Sequence, residues 1–256
     1  MIPVGDDNSR NRRTPVVTRL LLALNIAVFI LLQQCGSDPN IARSLGSVPQ
    51  ELLEGRDIVT ADQVYRSPAT GRAYRIPGLL ETPVWIYATI LTAMFLHGSL
   101  GHLLGNMLYL GIFGDNVENR MGRVRFLLFY LIMGTVAAAA QTFTALFSGR
   151  GLLTPMIGAS GAISGVMGAY MVLFPRNKVY LLTFGFLPLP VSAWIVLILW
   201  FLMQVGNVTM TGAAGGGVAY AAHIGGFLAG WIWASTLKKR DKKKGSRDGF
   251  RWRVVD

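Results

Sequence analysis

The sequence predicts an all-α membrane protein, a bundle of six transmembrane helices with a long first outer loop. Three observations predict it. The 256 residues are 52% hydrophobic and only 14% charged, with a positive mean hydropathy, a balance that excludes a disordered chain and disfavours an ordinary soluble domain. The apolar residues gather into runs of helical length. The basic residues fall in every second connection, as the positive-inside rule requires.

That placement decides what the net charge of +11 means. Arg10, Arg12, Arg13 and Arg19 precede or open the first run, Arg120, Arg123 and Arg125 follow the second, and Arg176 and Lys178 follow the fourth. Nine more Lys/Arg, from Lys238 to Arg253, follow the last, making 18 of the 24 basic residues. Arg43, Arg56, Arg66, Arg72 and Arg75 share the first loop with six acids. The basicity therefore encodes topology, and a nucleic-acid partner is not expected. The inner basic tails suit anionic lipid headgroups. A single cysteine, Cys35, permits no intrachain disulfide.

In order, residues 1–15 read as a polar cytoplasmic tail and Val16–Leu32 as the first span, retained because no small-residue cleavage site follows it. Residues 35–88 read as a long outer loop, with five prolines from Pro39 to Pro83 and with Trp85 and Tyr87 at the headgroup level. The second span begins between residues 92 and 102 and runs to about Val117. Phe126–Phe147 is the third span, followed by an outer loop with Gly149, Gly151 and Pro155. Ser160–Phe174 is the fourth and Pro190–Val205 the fifth; an uncharged loop with Gly212 and Gly215–Gly217 follows, and Ala219–Leu237 is the sixth. Residues 16–237 thus form one membrane core, and 238–256 a basic cytoplasmic tail. Six spans put both termini in the cytoplasm, in a bacterial inner membrane.

The chemistry centres on Ile157–Gly165. From Ser160 to Pro175 are fifteen residues, roughly 22 Å of helix, short of the roughly 30 Å of hydrocarbon. With Arg176 and Lys178 at one face, Ser160 lies roughly 8 Å inside the other. His223 opens the run that ends at Leu237, and His102 and Asn106 lie near the front of the run ending around Glu118. All three runs point the same way, so these four residues share one depth. A serine hydroxyl is a weak nucleophile until a base takes its proton, and a neutral imidazole does this near pH 7. No Asp or Glu lies in spans four or six, so a Ser160–His223 dyad is expected rather than a triad.

Donors for a tetrahedral oxyanion are available at the start of the fourth span, where backbone N–H groups lack helical partners, and from His102 and Asn106 at i and i+4. Taken singly, each residue has a plainer reading. A membrane serine usually glues helices, and Gly161/Gly165 make a small-xxx-small motif without any chemistry. Gly226/Gly230 let the sixth span pack on the fourth, opposite Gly161/Gly165. His97, a turn nearer the surface, reads as structural, hydrogen-bonding the loop. Asp115, Glu118 and Arg120 read as an inner-face structural cluster.

The set His97-x4-His102-x3-Asn106, Gly158-x-Ser160-Gly161 and Ala222-His223-x2-Gly226 with Gly230 resembles the rhomboid family of intramembrane serine proteases. The resemblance covers residues 16–237. It implies a serine endopeptidase cutting transmembrane segments of other membrane proteins near their outer ends, without metal or cofactor. Ser160 would be the nucleophile and His223 the base and acid. His102, Asn106 and the Ser160 backbone N–H would form the oxyanion hole, and substrate would enter laterally between the second and fifth spans. The oligomeric state is left open. Two positions depart from the family pattern. Ala88-Thr89 stands where a Trp-Arg pair is usual in well-studied bacterial members, and Ser164 stands where some members stack an aromatic on the histidine. The alternatives are a non-proteolytic membrane chaperone or dislocation factor, which short fourth and sixth spans would also suit, and a transporter, disfavoured by the lack of an inverted repeat.

Overall fold

A run of apolar residues with no polar face must be surrounded by protein or lipid on all sides, and the most uniformly buried helix here is the one that Ser160 begins. The structure is a computed structural model, and it describes residues 2–9, 11, 13–66, 71–183, 187–211 and 218–251. Arg10, Arg12, Gly212, the Gly215–Gly217 run and Arg253, all singled out above, lie outside them, as does Pro68, one of the five loop prolines. The chain opens with β1 (Ile2–Asp6), then α1 (Val16–Ala27), extended by one wide turn over Val28–Leu32. The outer segment carries α2 (Asn40–Leu45), α3 (Pro49–Glu54), the antiparallel pair β2 (Gln63–Arg66) and β3 (Ala73–Ile76), and α4 (Thr89–Ala93). The long helices follow: α5 (Leu100–Met121), α6 (Arg123–Ser148) and α7 (Ser160–Leu173). The hairpin of β4 (Lys178–Thr183) and β5 (Leu187–Ser192) leads to α8 (Ala193–Thr211) and α9 (Tyr220–Arg251).

Helix α7 is the axis of the bundle: every residue from Ala162 to Tyr170 is buried, and α5, α6, α8 and α9 all pack on it. Among the described residues, one helix, α6, is both long and apolar enough to cross a membrane on its own; Val16–Leu32, Ser160–Leu173 and Ala193–Val208 are apolar but shorter.

The structure differs from an all-α bundle in several places. Residues 2–6 are not a free tail: β1 pairs antiparallel with β4, giving a three-stranded sheet of order β1-β4-β5. The residues from Pro190 to Ser192 belong to β5, so the fifth helix starts at Ala193. Pro188 and Pro190 suit this strand because it is an edge, where a missing N–H costs no ladder bond. Helix α9 continues beyond Leu237, so the basic tail begins as helix. The described part of residues 35–88, expected as an outer loop, is largely ordered by long-range bonds. Ser47 and Met156 exchange backbone hydrogen bonds, the Gln50 N–H donates to the Leu152 carbonyl, and Thr92 Oγ1 donates to the Leu45 carbonyl at 2.7 Å. In this chain the outer segment is therefore anchored on the loop before α7, with Thr89 spent locally on the Ile86 carbonyl.

The acids Glu118 and Asp6 have separate tasks. Helix α1 has no side-chain cap of its own. The buried Glu118 carboxylate supplies one, accepting from the backbone N–H groups of Val17 (3.0 Å) and Thr18 (2.7 Å) and from Thr18 Oγ1 (2.8 Å). A carboxylate at a helix N-terminus meets both the orphan donors and the positive end of the dipole. Glu118→Ala strands three donors around a buried site, each costing about 1–3 kcal/mol. The expected outcome is a loss of about 3 kcal/mol or more, read from thermal unfolding in detergent.

Asp6 ties β1 to the bundle: its Oδ2 accepts from Asn116 Nδ2 at 2.7 Å and from the Tyr170 hydroxyl. Burial pushes its carboxyl up to about 7, against the pull of the Tyr170 and Asn116 hydrogen bonds and with help from Asp115 and Asp7. The folded protein therefore holds a proton here that an unfolded chain, near pH 4, has released. Stability from this group is full at low pH and is lost as pH rises towards and through 7. Hydrogen-exchange protection of the β1 amides, corrected for the intrinsic exchange rate, should fall between roughly pH 4 and pH 7, and Asp6→Asn should flatten that dependence.

Candidate active site

Three helix starts converge at one end of the bundle. Ser99 is the N-cap of α5: its Oγ accepts the His102 N–H at 3.1 Å, placing His102 in the first turn. His102 Nδ1 accepts the Gly98 N–H at 3.3 Å, so Nε2 carries the ring hydrogen of the neutral imidazole and is a donor. One turn on, Asn106 lies 6% exposed with one amide hydrogen on the His102 carbonyl at 2.9 Å. The other is free for a ligand.

Ser160 is the first residue of α7, so the N–H groups of its turn have no intrahelical partner. It is preceded by Gly158 at φ +121°, a conformation only glycine adopts without strain. The Gly158 N–H donates to the Ala93 carbonyl at 2.8 Å, which pins this turn to the end of α4. A Cβ on Gly158 would lie 2.8 Å from His102 Nε2 and 3.7 Å from Ser160 Oγ. The missing side chain is thus the space shared by the two groups.

His223 sits in the first turn of α9. Gln141 of α6 fastens that turn by accepting the Ala222 N–H at 3.3 Å. His223 Nε2 and Ser160 Oγ are 2.8 Å apart. What sets this distance is the packing of α7 on α9. A Cβ on Gly226 would meet the Gly161 carbonyl oxygen at 2.2 Å, one on Gly230 the Gly165 oxygen at 1.9 Å, and one on Gly168 the Phe227 oxygen at 2.0 Å. The two backbones touch along three turns, as small-residue helix seams allow.

The groups open onto a cavity of about 670 Å³ whose lining includes His102, Asn106, Ser160, Ser164, Trp200 and His223. Ser164 turns its hydroxyl back to the Ser160 carbonyl at 2.6 Å. The imidazole is flanked instead by Trp200, at 5.9 Å between ring centroids, and edge-on by Tyr220 at 6.4 Å.

Two expectations change. His97 is fully buried and edge-on to His102, 5.1 Å between rings, and it is the His97 backbone that ties to the residue ending the α1 extension. Gln33 donates to the His97 carbonyl (2.9 Å) and accepts its N–H (2.8 Å). Second, His223 has a partner on its far side, Gln204 of α8, whose Oε1 is 2.8 Å from Nδ1. Looking only for carboxylates in spans four and six missed it. The available signal was one amide inside the apolar run of the fifth.

Residues 84–240, more than half of the chain, match the Rhomboid domain. The chain belongs to the rhomboid family. Rhomboid proteins are helical integral membrane proteins, and the family includes serine proteases. Among its relatives, the mitochondrial Rhomboid protein 1 of Saccharomyces cerevisiae is 30% identical over 62% of this chain and 44% of its own length. The Rhomboid protease GluP of Bacillus subtilis is 29% identical over 87% of this chain and 35% of its own length. The human mitochondrial presenilin-associated rhomboid-like protein is 28% identical over 64% and 44%. The chain spans less than half the length of these relatives. His97, His102, Asn106, Ser160 and His223 all fall within the matched residues.

Proposed function

We propose that this rhomboid protein is an intramembrane serine endopeptidase that hydrolyses peptide bonds in or near transmembrane segments of other membrane proteins. The observation that carries the reading is the 2.8 Å contact between Ser160 Oγ and His223 Nε2 at the edge of a cavity lined by hydrogen-bond donors. Kinship with a named protease, GluP, supports it.

In this reading Ser160 Oγ attacks the scissile carbonyl carbon as His223 Nε2 takes its proton. The carbonyl oxygen becomes an oxyanion facing His102 Nε2–H, the free Asn106 amide hydrogen and the Ser160 N–H. Collapse breaks the C–N bond, and the imidazolium returns its proton to the departing amine. Water then attacks the acyl-serine, again giving its proton to His223, and the product acid leaves with Ser160 restored. Hydroxyl, imidazole and amide are all neutral at rest, which suits a site below a lipid surface, where a standing charge is costly.

The topology belongs to the same proposal. Helices α1, α5, α6, α7, α8 and α9 are the six spans of a core over residues 16–237, and the loop charges assign both termini to the cytoplasmic side. The sheet β1-β4-β5 and the Glu118 cap then lie at the inner face and the active site near the outer one. The test is chemical: purified protein in detergent is treated with a fluorophosphonate and the modified residue mapped. Modification at Ser160 is expected; its absence, or modification elsewhere, overturns the reading.

A further inference from the structure

The proposed chemistry needs the Ser160 proton to land on Nε2 of His223, so that nitrogen must hold its lone pair and Nδ1 must hold the hydrogen. An imidazole with nothing on its far side exchanges its two tautomers and tips in its pocket. In the other tautomer Nε2–H merely donates to the serine oxygen, and the hydroxyl is not activated.

The far side is occupied. Gln204 Oε1 lies 2.8 Å from His223 Nδ1. The setting of Gln204 is what makes this contact more than incidental. Its predecessors on α8, Leu202 and Met203, are 55% and 58% exposed, as residues on the outer face of an apolar helix are, whereas Gln204 is 7% exposed. An amide turned inward in such a helix is costly unless it is hydrogen-bonded, and the partner is the imidazole. The arrangement is built on helices rather than loops. Trp200 and Gln204, one turn apart on α8, meet His223 and Phe227, one turn apart on α9: Trp200 lies 5.9 Å from both rings, and the neighbouring Phe201 stacks on Phe227 at 4.9 Å.

We propose that Gln204 is a positioning residue: its side-chain carbonyl accepts the Nδ1 hydrogen of His223 and holds the imidazole in the one tautomer and orientation that can take the Ser160 proton. The inference rests on the protease reading. It makes the site a Ser160–His223–Gln204 relay of position, with the proton passing only between the first two. An amide does this task in lipid without importing the charge that a carboxylate would bring. When the imidazolium forms, the carbonyl dipole of Gln204 stabilises it, though less than an anion would. The loss on removal is therefore smaller than the roughly 10⁴-fold seen when the carboxylate of a soluble triad is neutralised.

Two variants of the full chain test this against the wild type. Gln204→Met keeps the length and bulk and lacks an acceptor oxygen; Gln204→Glu keeps an oxygen at the same reach. Three readouts are taken: kcat and KM on a transmembrane substrate, the rate of fluorophosphonate labelling at Ser160, and the thermal midpoint. Gln204→Met should lower kcat and the labelling rate together by about 10- to 100-fold with KM and the midpoint unchanged, and Gln204→Glu should recover most of that loss. The proposal is overturned if Gln204→Met retains kcat within about twofold, if Gln204→Glu is as slow as Gln204→Met, or if either loss tracks a fall in thermal midpoint. Failure of the wild type itself to label at Ser160 strikes the protease reading, a result distinct from equal labelling of all three proteins.

Discussion

Ser160→Ala is expected to abolish cleavage of a transmembrane substrate, with a fall in kcat/KM of at least about 10⁴-fold and no loss of folding. The reasoning is local. The hydroxyl is the sole atom removed, and it sits 2.8 Å from His223 Nε2 at the start of α7. The backbone there is fixed by other groups, the Gly158 N–H on the Ala93 carbonyl and the seam with α9, so the variant keeps its shape. His223→Ala should fall by a similar factor, and the double variant should fall no further, because members of one catalytic unit are not additive. A substrate assay on single and double variants reads both statements. If Ser160→Ala cleaves at the wild-type rate, the site is not proteolytic. If a cellular phenotype survives Ser160→Ala while cleavage does not, a chaperone or dislocation role carries that phenotype.

Gly230→Ala is expected to be among the most damaging added methyls at the described glycines, and the one that strikes the α7–α9 seam hardest. The new Cβ would lie 1.9 Å from the Gly165 carbonyl oxygen, a backbone atom that cannot swing aside. The helices must separate, at a cost of about 3 kcal/mol. Separation also moves His223 away from Ser160, because the same seam carries both, so activity should be lost along with stability. Gly111→Ala on α5 is the matched control: its Cβ would meet nothing within 4 Å, and alanine is the better helix former by up to about 1 kcal/mol. Thermal unfolding of the two variants should therefore move in opposite directions.

What was legible in the sequence was what depends on spacing and on the bilayer. The start of α7 falls on Ser160 and that of α9 within a residue of Ala219, where the sequence put them, whereas the start of α5 at Leu100 was bracketed only between residues 92 and 102. The expectation that Ser160, His223, His102 and Asn106 share a depth came from run length alone. The start of α8 was misread by three residues because Pro190–Ser192 continues the apolar pattern, and only pairing with β4 makes it a strand. Strand β1 was invisible for the same reason: five residues carry no periodicity worth reading, and their partner comes only after α7. Gln204 was missed because an amide in an apolar run has no signature of its own; its meaning comes from facing His223, which is tertiary information. Glu118 was recognised as structural, but its task as the cap of α1 needed the crossing of two helices to be known.

The pairing of β1 with β4 has a consequence for biosynthesis. Ile2 and Leu182 are partners 180 positions apart, and contacts of such separation close late. In the proposed topology the leading strand has no ladder to join until the three long helices α5, α6 and α7 have been made. Until then the translating chain carries an unsatisfied strand at one end, and afterwards β4 exposes a raw edge if that strand is trimmed away. Shortening the amino terminus by six residues should therefore harm yield and solubility in detergent more than its distance from Ser160 would suggest.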